Sequence, residues 1–329
     1  MDITLPPVAV SYPVDEEFER VNKEVLGSDA RITFLQELAR ERWPDVLAEA
    51  EVLLAWNLPR EVPAELLAGA KALRFIQLLS AGVNQVDFGV IPDGILVAGN
   101  VGAYARPMAE HAMAMTLALA KRLPQRHAEL AGGIFDQETP TLTLDGSACG
   151  ILGFGGIGRA TARLMRPFGA RIFAINTSGR TGEPVEFAGT LADLDAILGQ
   201  LDVVIVALPL TRATRGLIDK RRLELMKPTA ILVNVARGPI IDEGALYEHL
   251  RENAQFYAGI DAWWQEPFSE GSFGTNYPFF ELPNLLGSPH NSAIVPGILY
   301  RAARQAALNA RRFLRGEPVS GVVRREDYD

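Results

Sequence analysis

The chain has 329 residues with 32 Lys and Arg against 40 Asp and Glu, a formal net charge of −8. That length exceeds what one hydrophobic core usually covers, so two domains are expected, and the acidic balance excludes a nucleic-acid face, which needs clustered basic charge. A single cysteine, Cys149, excludes an internal disulfide framework and fits a reducing compartment.

The opening "MDITLPPVAVSYPVDEEF" lacks a basic start and a long apolar core, so no signal peptide is expected. Short apolar runs at residues 8–11, 52–56, 74–79 and 95–98 read as the strands of a first domain. A helix follows at 107–123, with Pro107 at its start. Its run "AMAMTLALA" is about half the length of a membrane span and reads as a core or interface helix. The protein is therefore expected to be cytoplasmic, with no membrane partner. Residues 124–146 show weak periodicity and several glycines and read as a connection or arm.

A second alternating series then begins. Strands are expected at 149–152, 171–175, 203–208, 230–234, 257–261 and 285–287, with helices at 157–168, 191–198, 219–226 and 243–251 between them. Alternating strands and helices specify a parallel sheet covered by helices. Cys149 lies in an apolar run and is expected as a buried strand residue, not a nucleophile. A last helix at 296–315 is expected to return to the first domain.

Between the first strand and helix of this series stand Gly153, Phe154, Gly155, Gly156, Ile157 and Gly158, a G-x-G-x-x-G turn. In this context it marks a dinucleotide site. The first glycine permits the tight turn, the second lets the backbone approach a pyrophosphate, and the third lets helix and strand pack closely. The free N–H groups at the helix start face the anion. The next strand ends at Asn176, where a carboxylate for the ribose hydroxyls is usual. Asn176 does not repel a 2′-phosphate, Thr177 and Ser178 offer hydroxyls, and Arg180 offers a charge-assisted pair. NADP(H) is thus the favoured cofactor. A plain polar turn that accepts NAD(H) is the alternative.

These segments together resemble the D-isomer-specific 2-hydroxyacid dehydrogenase family over nearly the whole chain. "LDGSACGILGFGGIGRATARLMRPFGARI", "DVVIVALPLTRATRGLID", "LMKPTAILVNVARGPIIDEGAL", "AGIDAWWQEPF" and "LPNLLGSPHNSA" follow the family's order. The resemblance implies an α/β protein with a Rossmann dinucleotide-binding domain (106–295) and a flavodoxin-like substrate domain (1–105 with 296–329), a cleft between them. It implies NAD(P)H-dependent reduction of a 2-oxo acid to a D-2-hydroxy acid, and the reverse, without a metal.

In that chemistry His290 matches the general acid and base, Glu266 its partner, and Arg237 the clamp on the substrate carboxylate. Imidazole suits the first role because it titrates near neutral pH, and the planar guanidinium fork suits the last. The resemblance also places Leu208, Pro209, Thr214, Val235, Ala236 and Asp261 along the cofactor. Ser80, Ala81 and Gly82 match a loop whose backbone binds the substrate carboxylate. Tyr104 and Arg106 precede the long helix, and Arg106 is read either as a contact for a second negative group or as a surface arginine.

His111 is expected to serve helix packing or capping, and His127 and His249 to be exposed. Trp263 and Trp264 are expected to add bulk near the substrate. "NSAIVPG" after His290 departs from the family's small residues and threonine. Glu266, where formate dehydrogenases carry glutamine, argues against that activity. The family also implies a homodimer, with 124–146 as its arm. A dinucleotide-sensing binding module with little turnover is the alternative function.

Overall fold

The computed structural model describes residues 5–328; the first four residues of the opening segment and Asp329 lie outside the described residues. The chain divides into two compact units, Met1–Tyr104 with Val295–Asp329, and Ala105–Ile294.

The first unit begins β1 (Pro7–Val10), α1 (Glu16–Leu26), β2 (Arg31–Phe34), α2 (Trp43–Glu49), β3 (Val52–Ala55), α3 (Leu58–Glu61), α4 (Ala64–Gly69), β4 (Phe75–Leu78) and β5 (Leu96–Ala98). The second follows with α5 (Ala105–Ala120), α6 (Leu123–Ala131), β6 (Ala148–Leu152), α7 (Gly156–Met165), β7 (Arg171–Ile175), β8 (Phe187–Gly189), α8 (Leu194–Leu198), β9 (Val203–Val206), α9 (Lys220–Leu225), β10 (Ile231–Asn234), α10 (Glu243–Glu252), β11 (Tyr257–Ile260), α11 (Pro267–Glu270) and β12 (Leu285–Gly287). Helix α12 (Ile298–Leu314) belongs to the first unit.

The five strands of the first unit form a parallel sheet in the order β2-β1-β3-β4-β5, the flavodoxin-like order. Strand β3 reads as a continuous apolar run because both faces of the sheet are covered. Leu53 and Ala55 pack with Trp43 and Leu47, while Val52 and Leu54 pack with Val21 and Val25 of α1. Helix α12 closes that second face with Ala303, Ala306, Ala307 and Ala310. Alanines three and four apart share one helix face and let it approach the sheet closely. Asn309 on the same helix donates to Gln77 Oε1 at 2.6 Å and to Ser320 O at 2.9 Å, so its buried amide is satisfied.

The seven strands of the second unit are also parallel, in the order β12-β11-β10-β9-β6-β7-β8. This is the doubly wound, Rossmann-like arrangement. From β6 the chain winds one way to β8 and then returns to β9 on the other side. The change of direction lies between β6 and β9, and ligands of open α/β sheets bind at the carboxyl ends beside such a point. Cys149 on β6 is fully buried, and burial pushes its thiol up to about 11. No helix among the described residues is long and apolar enough to cross a membrane.

Strands β2 and β8 escape the sequence pattern. Both are edge strands of three or four residues, and each carries partly exposed positions, so neither shows an apolar run. Residues 124–146 are not all connection: α6 fills the first part. Arg122, at φ 52° in the left-handed region, separates α6 from α5. No residue of α6 is buried, which explains its weak periodicity.

Candidate active site

Three adjacent parallel strands, β10, β11 and β12, deliver the three expected catalytic side chains to one edge of the second unit's sheet. Arg237 follows β10, Glu266 follows β11 and His290 follows β12, each beyond the carboxyl end. Packing fixes the loops to one another. A Cβ on Gly238 would stand 2.2 Å from the Trp263 carbonyl carbon, so the Arg237 loop lies directly against the Glu266 loop. Trp264 Nε1 donates to Ile241 O at 2.7 Å, and Trp263 Nε1 donates to Ser288 O at 2.8 Å. The two indoles therefore bond backbone from the segments beyond β10 and β12.

Glu266 is buried at 5% exposure, and its Oε1 stands 2.8 Å from His290 Nδ1. A carboxylate only accepts, so Nδ1 carries the proton of this pair. The His290 backbone is held at φ 51°, a conformation uncommon outside glycine, and its N–H donates to Asp261 O at 2.9 Å. Arg237 is half-buried; its Nη1 donates to Ala236 O at 2.7 Å, and Asn234 braces the turn by donating to Arg237 O at 2.9 Å.

Asp261 is fully buried. Its Oδ1 accepts from Ser288 Oγ at 2.6 Å and from Asn291 N at 3.1 Å, and its Oδ2 accepts from Ser292 N at 3.2 Å. Burial pushes its carboxyl up, but the hydrogen bonds from Ser288 and Ser292, with the imidazoles of His111 and His290 nearby, outweigh burial and hold it below the usual carboxylate value.

At the carboxyl end of β6, Gly153 has φ 94°, and a Cβ there would meet Ala207 O at 2.4 Å. A Cβ on Gly158 would stand 2.1 Å from Gly153 O, so only glycine lets α7 start this close to β6. At Gly155 a Cβ would meet nothing within 4 Å: the space before the helix start is open. Phe154 is buried, and Gly156 and Ile157 begin α7 half-exposed. An open cradle at a helix N-terminus, walled by two obligatory glycines, fits a pyrophosphate. The hydroxyl of Ser292, two residues past His290, is buried without a hydrogen-bond partner, which leaves it available to a ligand amide.

The turn after β7 is tied by Asn176. Its Oδ1 accepts from Ser178 N at 2.9 Å and Ser178 Oγ at 3.0 Å, and its Nδ2 donates to Arg180 O at 2.8 Å. Thr177, Ser178 and Arg180 are exposed. The loop after β9 contains half-buried Leu208 and exposed Pro209; buried Thr214 ties it by donating to Pro209 O at 2.7 Å. Val235 and Ala236 are buried beyond β10.

With this geometry in place, residues 113–292 match the family described as D-isomer specific 2-hydroxyacid dehydrogenase, NAD binding domain. The chain belongs to that family. Glyoxylate reductase of Pyrococcus furiosus is 30% identical over 300 residues, 88% of this chain and 87% of its own. D-3-phosphoglycerate dehydrogenase of Mycobacterium tuberculosis is 31% identical over 300 residues, 91% of this chain, but this chain spans only 56% of that relative's length. A D-isomer specific 2-hydroxyacid dehydrogenase from Xanthobacter autotrophicus Py2, solved with NADPH and MES, superposes with a TM-score of 0.78 at 27% identity, covering 97% of this chain and 98% of the other.

Within this member of the 2-hydroxyacid dehydrogenases, Ser80, Ala81 and Gly82 of the first unit form the loop after β4, and Tyr104, beyond β5, bonds to its start. Ser80, Ala81 and Gly82 are half-buried; Ser80 Oγ donates to Gly82 O at 2.8 Å, and Tyr104 donates to Leu79 O at 2.9 Å. Burial pushes the Tyr104 phenol up to about 12. Arg106 is 90% exposed and pairs with Glu110 at 3.1 Å.

Three expectations are corrected. The bulk of Trp263 goes into the core, at 4% exposure, and the half-buried Trp264 stacks on Phe279. His249 is half-buried, its ring edge-on to Phe256 and its Nε2 buried without a partner. His111, assigned only to packing or capping, reaches Ser288 Oγ at 2.9 Å. The signal for His111 was a residue out of character, a histidine beside an apolar helical run.

Proposed function

We propose that the protein is an oxidoreductase that reduces a 2-oxo acid to a D-2-hydroxy acid with NAD(P)H, and catalyses the reverse reaction. The observation that carries this is the Glu266–His290 pair at 2.8 Å, set beside Arg237 at the carboxyl ends of three adjacent strands. NADPH is the favoured cofactor, with NADH the alternative: no acid stands at Asn176, Arg180 is exposed beside it, and the Xanthobacter relative was solved with NADPH.

The residues that would hold the dinucleotide are Gly153, Phe154, Gly155, Gly156, Ile157 and Gly158 for the pyrophosphate, Asn176, Thr177, Ser178 and Arg180 for the ribose and its phosphate, and Leu208, Pro209, Thr214, Val235, Ala236 and Asp261 along the remainder. When bound, the cofactor supplies the hydride. Arg237 holds the substrate carboxylate through its guanidinium fork. His290, with Nδ1 turned to Glu266, has Nε2 to offer and gives its proton to the carbonyl oxygen as charge develops there. Glu266 fixes the orientation of the ring. In the reverse direction His290 takes the hydroxyl proton. Ser80, Ala81, Gly82, Tyr104 and Arg106 are assigned to the substrate side.

The arm is proposed to face a second copy of the chain, because Leu123, Leu130, Ile134 and Phe135 are 57%, 56%, 57% and 74% exposed. Light scattering on the purified protein tests this: a monomer at micromolar concentration removes it.

The test of the activity is NADPH and NADH oxidation against 2-oxo acids ranging from glyoxylate to bulky aromatic and dicarboxylic acids, with His290→Ala and Arg237→Gln alongside. Turnover by the parent that falls at least about 100-fold in His290→Ala supports the reading. Tight dinucleotide binding with no turnover above His290→Ala favours a sensing module instead.

A further inference from the structure

The turn that carries His290 is held from two sides. Glu266 holds the ring. On the other side, Asp261 holds the backbone through three donors from Ser288, Asn291 and Ser292, and its own carbonyl accepts the His290 N–H. The second side reaches α5. His111 Nε2 lies 2.9 Å from Ser288 Oγ and 3.7 Å from Asp261 Oδ1. A serine hydroxyl has one proton. Ser288 gives it to Asp261, which only accepts when ionised, so Ser288 receives its other bond from His111 Nε2–H. The tautomer of His111 is thereby fixed, and an imidazolium keeps the same bond.

Resting on the reductase reading above, we propose that His111 is a positioning residue for catalysis: through Ser288 it holds the Asp261 carboxylate and with it the turn that aims His290. The proposal accounts for a histidine at the head of the apolar run AMAMTLALA of α5, and for a fully buried carboxylate kept charged. The ionisable group that lies against His111 from the loops beyond β11 and β12 is Asp261, and on its own helix Arg106 and Glu110 pair with each other. Helix α7, packed against α5, buries Gly158, Thr161, Ala162 and Met165, none of them charged, and Tyr257 is the ionisable residue of β10 and β11. The charge that His111 answers is therefore Asp261.

Removing the imidazole leaves Ser288 and Asp261 free to shift by a fraction of an ångström, and catalytic geometry is sensitive at that scale. His111→Ala is expected to keep the parent's melting temperature to within a few degrees and to lower kcat about 10-fold. His111→Gln, whose amide N–H reaches the same place, is expected to restore most of kcat. Because His111 acts through Ser288, its loss in a Ser288→Ala background is expected to cost little more, a non-additive cycle.

The chain has four histidines, so 15N-histidine spectra resolve them individually. The His290 ring signals are expected to shift in both His111→Ala and Ser288→Ala, and not in His127→Ala, which alters an exposed residue of α6. A well-folded His111→Ala with the parent's kcat and unmoved His290 signals overturns the proposal, as does an additive cycle. If His111→Ala does not fold, Ser288→Ala and His111→Gln decide by the same readouts. If the parent reduces no 2-oxo acid, the reductase reading falls, and the His290 signals still decide whether His111 sets the state of that turn.

Discussion

Glu266 Oε1, which stands 2.8 Å from His290 Nδ1, is also held at 2.7 Å by the backbone N–H of Trp263. One oxygen thus has a fixed address in the loop and a fixed partner in the ring. The carboxylate is oriented before any substrate arrives, and Trp263 itself is anchored in the core.

Glu266→Gln keeps the shape and removes the charge. The His290 ring then keeps a neighbour of the same shape but loses its nearest anion. Reduction needs a proton delivered from a correctly held ring, and kcat is expected to fall on the order of 100-fold. Steady-state kinetics of the reductive reaction check this. An unchanged kcat would mean that Glu266 does not serve His290.

Arg180 is exposed at the end of a turn that Asn176 ties together by its own side chain. If its guanidinium meets a 2′-phosphate, Arg180→Ala should raise the KM for NADPH about 10-fold or more and leave that for NADH unchanged, as expected for one charge-assisted contact. Equal effects on both cofactors would assign Arg180 to the loop, not to the phosphate.

Asp261 links pH to stability. Its folded-state pKa lies below the usual carboxylate value, so its contribution is present above the unfolded value, about 4, and is lost as pH falls through the folded one. Asp261→Asn removes the charge and leaves the donors of Ser288, Asn291 and Ser292 a single amide oxygen, and is expected to cost about 2 to 4 kcal/mol near neutral pH. The melting-temperature gap between parent and variant should shrink as pH drops below about 4. A gap that is constant from pH 7 to pH 3 would show that the carboxylate charge is not what matters.

How much of this was legible in the chain depends on what each residue type reports. The apolar runs of β6, β9, β10 and β11 announce themselves because both faces of a parallel sheet are buried. Strands β2 and β8, at sheet edges, carry no such pattern. The glycine turn and the ends of β10, β11 and β12 were readable because few residue types serve there. The Ser288–His111 contact joins positions 177 residues apart and depends on the packing of a helix against a loop, which no local pattern encodes. The indoles of Trp263 and Trp264 misled for the same reason: bulk is visible in sequence, but its direction is not.

The glycine turn allows a last separation of structure from binding. At Gly158 an added Cβ would stand 2.1 Å from Gly153 O and 3.0 Å from Ile151 Cγ2, so Gly158→Ala must push α7 off β6. A loss of about 1 to 3 kcal/mol is expected, read as a lower melting temperature with or without cofactor. At Gly155 nothing stands within 4 Å of an added Cβ. Gly155→Ala should therefore melt within a few degrees of the parent yet bind the dinucleotide at least about 10-fold more weakly, because the methyl enters the space a pyrophosphate needs. Titration of cofactor fluorescence measures the affinity and calorimetry the melting. If Gly155→Ala binds NADPH and NADH as tightly as the parent, the cradle before α7 does not hold the pyrophosphate.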